Sequence, residues 1–335
     1  MSNSLPSFLA TDADVYEHFM GRWSARLAEP FLDFAGVEPG STVLDVGCGT
    51  GTISLALAKR GAKTVGLDAS EPYLDGARRL RSHPNVTYDH GDACHLPYAS
   101  ASFDACVSTL AIDVIPEVDL VAAEMRRVTR PGGVVASGTF DFWGGNSVLD
   151  LVLDTGAVLD QSIRTLRAQI KARPIVWANG QANLWCQAGL VDVVEVPIVL
   201  SFDYTNFEDY WSSFSTGPTR IAQRLTALPS GLRSDIEQHV RAGYLAGLPD
   251  GPRSFAVVVR AVRGDGSLRS GSRLDKVQRQ IQRSLQEPRA GRRARSDFSM
   301  AFDGFPERPR SSPGAWVQTT ASRTGPTTRR STTRR

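Results

Sequence analysis

From Val43 onward, short apolar runs alternate along the chain with segments whose apolar residues recur every three or four positions. This alternation is typical of βαβ units, which build a parallel sheet covered by helices. The strands predicted in the first half of the chain are 43–46, 64–68, 86–88, 103–108 and one that starts at Val134. The predicted helices are 52–60, one that begins after Ser70, and 117–128, which a turn at 130–133 follows.

Beyond Phe140 the pattern is less regular. It predicts helices near 146–171, 181–189, 206–214 and 219–244, and two further strands at 191–202 and 255–262. A last strand that pairs antiparallel at the far side of the sheet is common in mixed sheets. Ahead of the first strand, Tyr16, Phe19, Met20 and Trp23 recur at helical spacing, which predicts an additional helix. The fold class is therefore α/β, with helices on both faces of a mostly parallel sheet.

Composition changes at about residue 264. The chain as a whole is an ordinary globular sequence, with 335 residues, 41% of them hydrophobic and 22% charged. Residues 264–335 carry 16 basic and 6 acidic residues, so that a net charge of +10 there offsets −7 on the rest. We expect 287–335 to be disordered because few of its residues are apolar, and a short amphipathic helix at 273–285.

Several classes of protein are disfavoured. No run of about 18 apolar residues occurs, and the first basic residue is Arg22, so neither a membrane span nor a secretory signal is predicted and the expected location is cytoplasmic. The four cysteines are too far apart for a zinc clip, and we expect four buried thiols and no metal site. The arginines of the tail could neutralise phosphates, but no aromatic residues alternate with them, and a solvated extension is favoured over a nucleic-acid site.

A glycine loop after the first strand is the strongest sign of chemistry. Asp45 precedes glycines at 47, 49 and 51, and Thr52 stands where a dinucleotide fingerprint needs its last glycine. An acid beside the loop would repel a pyrophosphate but attract an ammonium group. The loop therefore suits a nucleoside that carries a zwitterionic amino acid, whose carboxylate can face the helix N-terminus.

Two more acids follow neighbouring strands. Asp68 ends the second strand about twenty residues after the loop, where a carboxylate can accept both hydroxyls of a ribose. Asp92 follows the third strand, where it can accept the amino group of a base, with Ala93 and Cys94 against the ring edge. Each acid alone is also explained as a surface charge or a helix cap.

These motifs resemble those of the class I S-adenosylmethionine-dependent methyltransferases. Residues 45–51 resemble the first motif of that family, and 124–133 its signature after the fourth strand. The segments 16–24 and 207–214 resemble flanks of the small-molecule branch, of the ubiquinone and menaquinone type (methyltransferase type 11-like). The resemblance covers about residues 12–263 and leaves the tail outside.

The resemblance implies a seven-stranded sheet of order 3-2-1-4-5-7-6, with S-adenosylmethionine over the carboxyl ends of strands 1 to 4. It divides 1–263 into a lid helix at about 12–35 over the cofactor, a core at about 40–140 and substrate-side helices at about 146–245. The predicted cofactor-binding residues are Asp45, Gly47, Cys48, Gly49, Gly51, Asp68, Ala69, Asp92, Ala93 and Thr109.

The predicted reaction is in-line transfer of a methyl group from S-adenosylmethionine to a small-molecule acceptor with an oxygen or carbon nucleophile. Holding the nucleophile near the methyl group supplies most of the catalysis, so a base is optional. The candidate bases are Asp113, Asp141 and His18. As alternatives, Asp113 caps a helix before Pro116, Asp141 is a charge in a loop, and His18 is simply exposed. The tryptophans at 23, 143, 185 and 211 either wall a substrate pocket or belong to the core.

Three other functions remain open at this point. They are a non-catalytic nucleoside-binding protein of the same fold, an RNA methyltransferase that uses the basic tail, and a dehydrogenase. Residues 108–111 read Ser-Thr-Leu-Ala where methyltransferases of nucleic-acid amino groups carry Asn-Pro-Pro-Tyr or Asp-Pro-Pro-Tyr, which disfavours the second of these.

Overall fold

The computed structural model describes residues 12–216 and 219–265. Its strands are β1 Thr42–Val46, β2 Lys63–Asp68, β3 Val86–His90, β4 Phe103–Thr109, β5 Thr129–Phe140, β6 Val191–Tyr204 and β7 Arg253–Asp265. Its α-helices are α1 Ala13–Tyr16, α2 Arg22–Ala35, α3 Thr52–Lys59, α4 Glu71–Leu80, α5 Val118–Val128, α6 Ser147–Leu159, α7 Gln161–Lys171, α8 Gly180–Gln187, α9 Phe207–Ser215, α10 Arg220–Ala227 and α11 Ser230–Leu245. Within the described ranges, none of these helices is both long enough and apolar enough to cross a membrane.

The strands form one sheet of order β3-β2-β1-β4-β5-β7-β6, which confirms the predicted topology. The first five strands run parallel, and β7 pairs antiparallel with both β5 and β6. Two buried clusters cover the faces. Val43 of β1 belongs to one cluster and Leu44 to the other, as the alternation of side chains along a strand requires. The carboxyl ends of β1 to β4 therefore meet at one edge, where the predicted cofactor residues lie.

Several predicted boundaries were wrong. The turn expected at 130–133 is instead a bulge inside β5, because Phe103 pairs with Thr129 and Ala105 with Val134. Gly132 takes the positive φ of +73° that the bulge requires. The segment 219–244 contains two helices, since Pro229 cannot continue α10 and is the residue that precedes α11. The N-terminal helix is interrupted by a π turn at Glu17–Gly21.

The cysteines differ from expectation, and the tail lies outside the described residues. Cys106 is buried, Cys48 and Cys94 are half-buried, and Cys186 is exposed, so the prediction of four buried thiols was wrong. Cys186 lies in the last turn of α8, on the outer face of that helix. The predicted helix at 273–285 and the predicted disorder of 287–335 fall outside the described residues.

Candidate active site

The glycine loop joins β1 to α3 at the carboxyl edge of the sheet. Gly47, Gly49 and Gly51 have φ angles of +69°, +54° and +84°, which favour glycine. A Cβ added at Gly47 would lie 2.5 Å from the Cβ of Ala111, so the loop after β4 also approaches too closely for a side chain. The amides of Gly47 and Cys48 both donate to the carbonyl of Leu67, at 2.8 and 3.0 Å, which fixes the loop to the end of β2.

Asp68 is held by backbone amides on both sides. Its Oδ2 accepts from the Gly49 amide at 2.8 Å and its Oδ1 from the Ser70 amide at 2.9 Å. Burial raises the pKa of this carboxyl, while hydrogen bonds from the amides of Gly49, Ser70 and Ala69 oppose the shift. Because a carboxylate has about four acceptor positions, these amides leave it able to accept from a ligand as well. Ala69, which follows it, is exposed.

Asp92 lies next to Asp68 because the Gly91 amide donates to the Asp68 carbonyl at 3.0 Å. Its carboxylate is exposed, and its Oδ1 accepts from the Cys94 amide at 2.8 Å. That hydrogen bond is the main reason why the pKa of Asp92 is lowered. Its Oδ2 lies 3.1 Å from Nδ1 of His95, a neighbour that sequence reasoning missed. Ala93 is buried beneath it.

Asp45 and Thr109 occupy the ends of the two central strands. Asp45 is 1% exposed, and its Oδ2 accepts from the Ser54 hydroxyl at 2.6 Å, so the hydrogen bond ties β1 to α3. Burial raises the pKa of Asp45 to about 7. Burial together with Asp45 also raises the pKa of Cys48. Thr109 is half-buried and is followed by Leu110, whose φ is +56° and whose amide donates to Gly138 at 2.7 Å.

The N-terminal segment packs on the glycine loop. A Cβ at Gly49 would lie 3.3 Å from the hydroxyl oxygen of Tyr16, and the ring of Tyr16 lies 4.7 Å from that of Tyr73 in α4. Further along, Arg22 pairs with Asp209 of α9 at 3.0 Å and lies 4.4 Å from the Trp23 ring centroid. The two flanking motifs of the sequence therefore contact each other.

The three candidate bases have different surroundings. Asp113 is 8% exposed, and its Oδ1 has no hydrogen-bond partner among the described residues. Burial raises its pKa to about 6, and the guanidinium of Arg173 opposes the shift. Asp141 is instead paired with Arg260 at 2.8 Å, and His18 is exposed. The chain between β4 and Pro116 forms a turn and no helix, so Asp113 does not cap a helix there.

Of the tryptophans singled out, Trp23, Trp185 and Trp211 are buried in the core, as the alternative interpretation proposed. Trp143 differs. It is 59% exposed in the loop after β5, and the ammonium of Lys171 lies 5.8 Å from the centroid of its ring. Only this one of the four therefore remains available to contact a ligand from its present position.

Residues 44–137 match the model of a family described as "Methyltransferase domain". A demethylmenaquinone methyltransferase of Renibacterium salmoninarum is 40% identical over 109 residues, which are 32% of this chain and 45% of that protein. A malonyl-[acyl-carrier protein] O-methyltransferase of Serratia marcescens is 35% identical over 133 residues, 38% of this chain and 51% of its own. The matches thus span about half the length of these relatives.

Among solved structures, phosphoethanolamine N-methyltransferase 2 of Haemonchus contortus, with bound S-adenosylhomocysteine, superposes with a TM-score of 0.48 and 18% identity. The superposition covers 76% of this chain and 56% of that one. The glycine loop and the acids after β2 and β3 lie inside the matched segment, whereas β6 and β7 lie beyond it. Residues 44–137 therefore match a methyltransferase domain, and the chain is similar in this region to bacterial methyltransferases.

Proposed function

We propose that the chain transfers a methyl group from S-adenosylmethionine to a small-molecule acceptor with an oxygen or carbon nucleophile. The observation that carries the proposal is the pair formed by Asp68 and the Gly49 amide, 2.8 Å apart, at the edge where β1 and β2 end. It fixes an acid that can still accept hydrogen bonds beside a loop whose three glycines carry no side chains. Bound there, S-adenosylmethionine supplies a methyl group already activated by the sulfonium.

The residues present fit such a ligand. Gly51 precedes α3 and caps it with no side chain, so the first amides of the helix can face a carboxylate. The hydroxyl of Thr52 is buried beside them and has no partner in the described part of the chain. In this proposal Asp68 holds the ribose and Asp92 the base, while the loop 47–51 carries the amino-acid end. Asp45 acts on the ligand indirectly, because its carboxylate already accepts a hydrogen bond from the hydroxyl of Ser54.

At the acceptor side, we assign the proton-accepting role to Asp113. It lies four residues after the end of β4, and its Oδ1 is buried without a partner. A raised pKa of about 6 keeps the carboxylate ionised at neutral pH and makes it a better base than an exposed aspartate. Arg173 nearby would favour an acceptor that loses a proton, such as a hydroxyl, over an ammonium group. Asp141 is less suited because Arg260 already occupies its Oδ2.

The test is calorimetric titration of the full chain with S-adenosylmethionine, S-adenosylhomocysteine and NAD. We expect both sulfur nucleosides to bind and NAD to show no heat of binding, because Asp45 and Thr52 replace the features of a dinucleotide site. Binding of NAD alone would contradict the proposal and favour a dehydrogenase. Mass spectrometry of small molecules copurified with the protein would identify its natural ligand.

A non-catalytic nucleoside-binding protein would give the same titrations. Turnover separates the two functions: a methyltransferase forms S-adenosylhomocysteine when S-adenosylmethionine and a pool of hydroxylated metabolites are supplied together. The same assay with RNA as the acceptor addresses the alternative based on the tail. Product formation with RNA and none with the metabolite pool would contradict a small-molecule acceptor.

A further inference from the structure

The π turn at Glu17–Gly21 places one acidic side chain against the glycine loop. The carboxylate of Glu17 accepts two hydrogen bonds from Arg81, from Nη1 to Oε1 at 2.9 Å and from Nη2 to Oε2 at 2.7 Å. Its Oε1 also accepts from the hydroxyl of Thr50, which lies inside the loop. Gly21 makes room for it, since a Cβ there would lie 2.6 Å from Cδ of Glu17.

Arg81 is itself held in place from three directions. It follows α4, and its Nη1 also donates to the carbonyl of Thr50 at 3.0 Å. Its own carbonyl accepts from the hydroxyl of Tyr88 in β3, also at 3.0 Å. Glu17, Thr50 and Arg81 therefore connect the N-terminal segment, the glycine loop and the end of α4. We call these three residues the loop clamp.

The loop clamp differs from an ordinary surface ion pair. The side chains of Arg81 and Glu17 are only 13% and 25% exposed, and the pair is bidentate. Such pairs are stronger and more directional than single exposed contacts. A comparison lies in the same segment, where Asp14 pairs with Arg79 at 2.7 Å with side chains 75% and 56% exposed. Among the described residues, the hydrogen bond of this pair joins α1 to α4 and does not involve the glycine loop.

We propose that Glu17 is a positioning residue for S-adenosylmethionine, which holds the glycine loop through Thr50 and keeps the N-terminal segment closed over it. This inference rests on the proposed function. Tyr16, next to Glu17, lies against Gly49, whose amide is bound to Asp68. Loss of the clamp therefore releases both the loop and the segment that covers it. The effect should fall mainly on dissociation of the ligand, because a closed segment blocks exit.

The experiment measures S-adenosylhomocysteine binding by calorimetry and its dissociation rate by stopped-flow displacement. Glu17→Gln keeps the size of the side chain but removes the charge that Arg81 pairs with. We expect its dissociation constant to rise at least tenfold, mostly through faster dissociation. Thr50→Val, which removes only the hydroxyl donor, should change both quantities in the same direction by a smaller factor. Asp14→Asn is the matched control and should bind like the wild-type chain.

Hydrogen exchange of the amides at 13–21 provides a readout that a merely structural role would not change. In the wild-type chain, we expect S-adenosylhomocysteine to slow exchange there, and in Glu17→Gln this protection should be lost. Wild-type affinity and dissociation in both Glu17→Gln and Thr50→Val would overturn the clamp while leaving the proposed function intact. An equal loss in Asp14→Asn would also overturn it. Absence of binding to the wild-type chain would overturn both proposals.

Discussion

The two sides of the candidate active site hold their carboxylates in different ways. On the cofactor side, Asp68 and Asp92 accept hydrogen bonds from backbone amides, two of which belong to residues just two positions further along the chain. On the acceptor side, Asp141 also accepts from an amide two positions on, that of Trp143, but its other oxygen is held by Arg260, which is 119 positions away. Oδ1 of Asp113 has no partner in the described ranges. The two acids of the cofactor side are therefore held mainly by backbone amides, whereas on the acceptor side a contact between distant segments decides which carboxylate is paired.

The largest effect expected from this difference is at Asp68. Replacing it with alanine removes the acceptor for Gly49 and, in the proposed complex, the hydrogen bonds to the ribose. We expect a loss of about 1.5–3 kcal/mol in the free energy of S-adenosylhomocysteine binding, or roughly 10- to 150-fold in affinity, measured by calorimetry. Asp75→Ala, on the exposed surface of α4, is the control and should not change binding. An unchanged dissociation constant in Asp68→Ala would mean that the ribose lies elsewhere.

This contrast also explains what could be predicted from the sequence. The alternation of strands and helices predicted the fold class. The glycine spacing and the acids after β2 and β3 are local signals, and they contributed to the resemblance that implied the strand order. Neither Glu17 nor Arg81 carries such a signal, since their pairing joins positions 64 residues apart. The bulge in β5 was missed because Pro131 and two glycines predict a turn equally well. Which carboxylate stays unpaired on the acceptor side depended on Arg260, whose position only the folded sheet determines.

A second prediction compares the two acceptor-side acids. Burial raises the pKa of Asp113 to about 6, above its value in the unfolded chain, so the folded state holds this proton more tightly. The stability that protonation of Asp113 provides is present below about pH 4 and is lost as the pH rises to about 6. Relative to wild type, Asp113→Asn should therefore gain roughly 1–2 kcal/mol in the free energy of unfolding between pH 4 and pH 8.

Denaturant titrations at the two pH values measure this difference. Asp141→Asn provides the opposite case, because it removes one of the two carboxylates that pair with the half-buried guanidinium of Arg260, the other being Glu195, and should lower stability at pH 8. If the stability of the two variants changes in the same direction, the proposal that Asp141 is paired and Asp113 is not would be wrong. The affinity of Asp113→Asn for S-adenosylhomocysteine should stay at the wild-type value, since the residue is assigned to the acceptor.

A third prediction concerns the link between the N-terminal segment and the acceptor side. Arg22 pairs with Asp209 with side chains 29% and 15% exposed, whereas Arg26 pairs with Asp203 with side chains 45% and 42% exposed. Arg22→Ala should cost about 1–2 kcal/mol of unfolding free energy and Arg26→Ala at most about 0.5. Thermal denaturation of the two variants side by side makes the comparison. Equal losses of stability in the two variants would show that burial of the Arg22–Asp209 pair adds nothing to the free energy of unfolding.

The smallest effect is expected from the tail, which lies outside the sequence resemblance. Removal of everything after Gly264 would cut β7, because Asp265 pairs with both Val134 and Val191. We therefore place the truncation after Asp265 and expect no change in S-adenosylhomocysteine affinity. A helix as short as the one predicted at 273–285 is marginal in water, so it either packs on another surface or contributes no stability. A lower thermal midpoint with unchanged affinity would indicate such packing. A large loss of affinity would instead show that the basic segment takes part in the site.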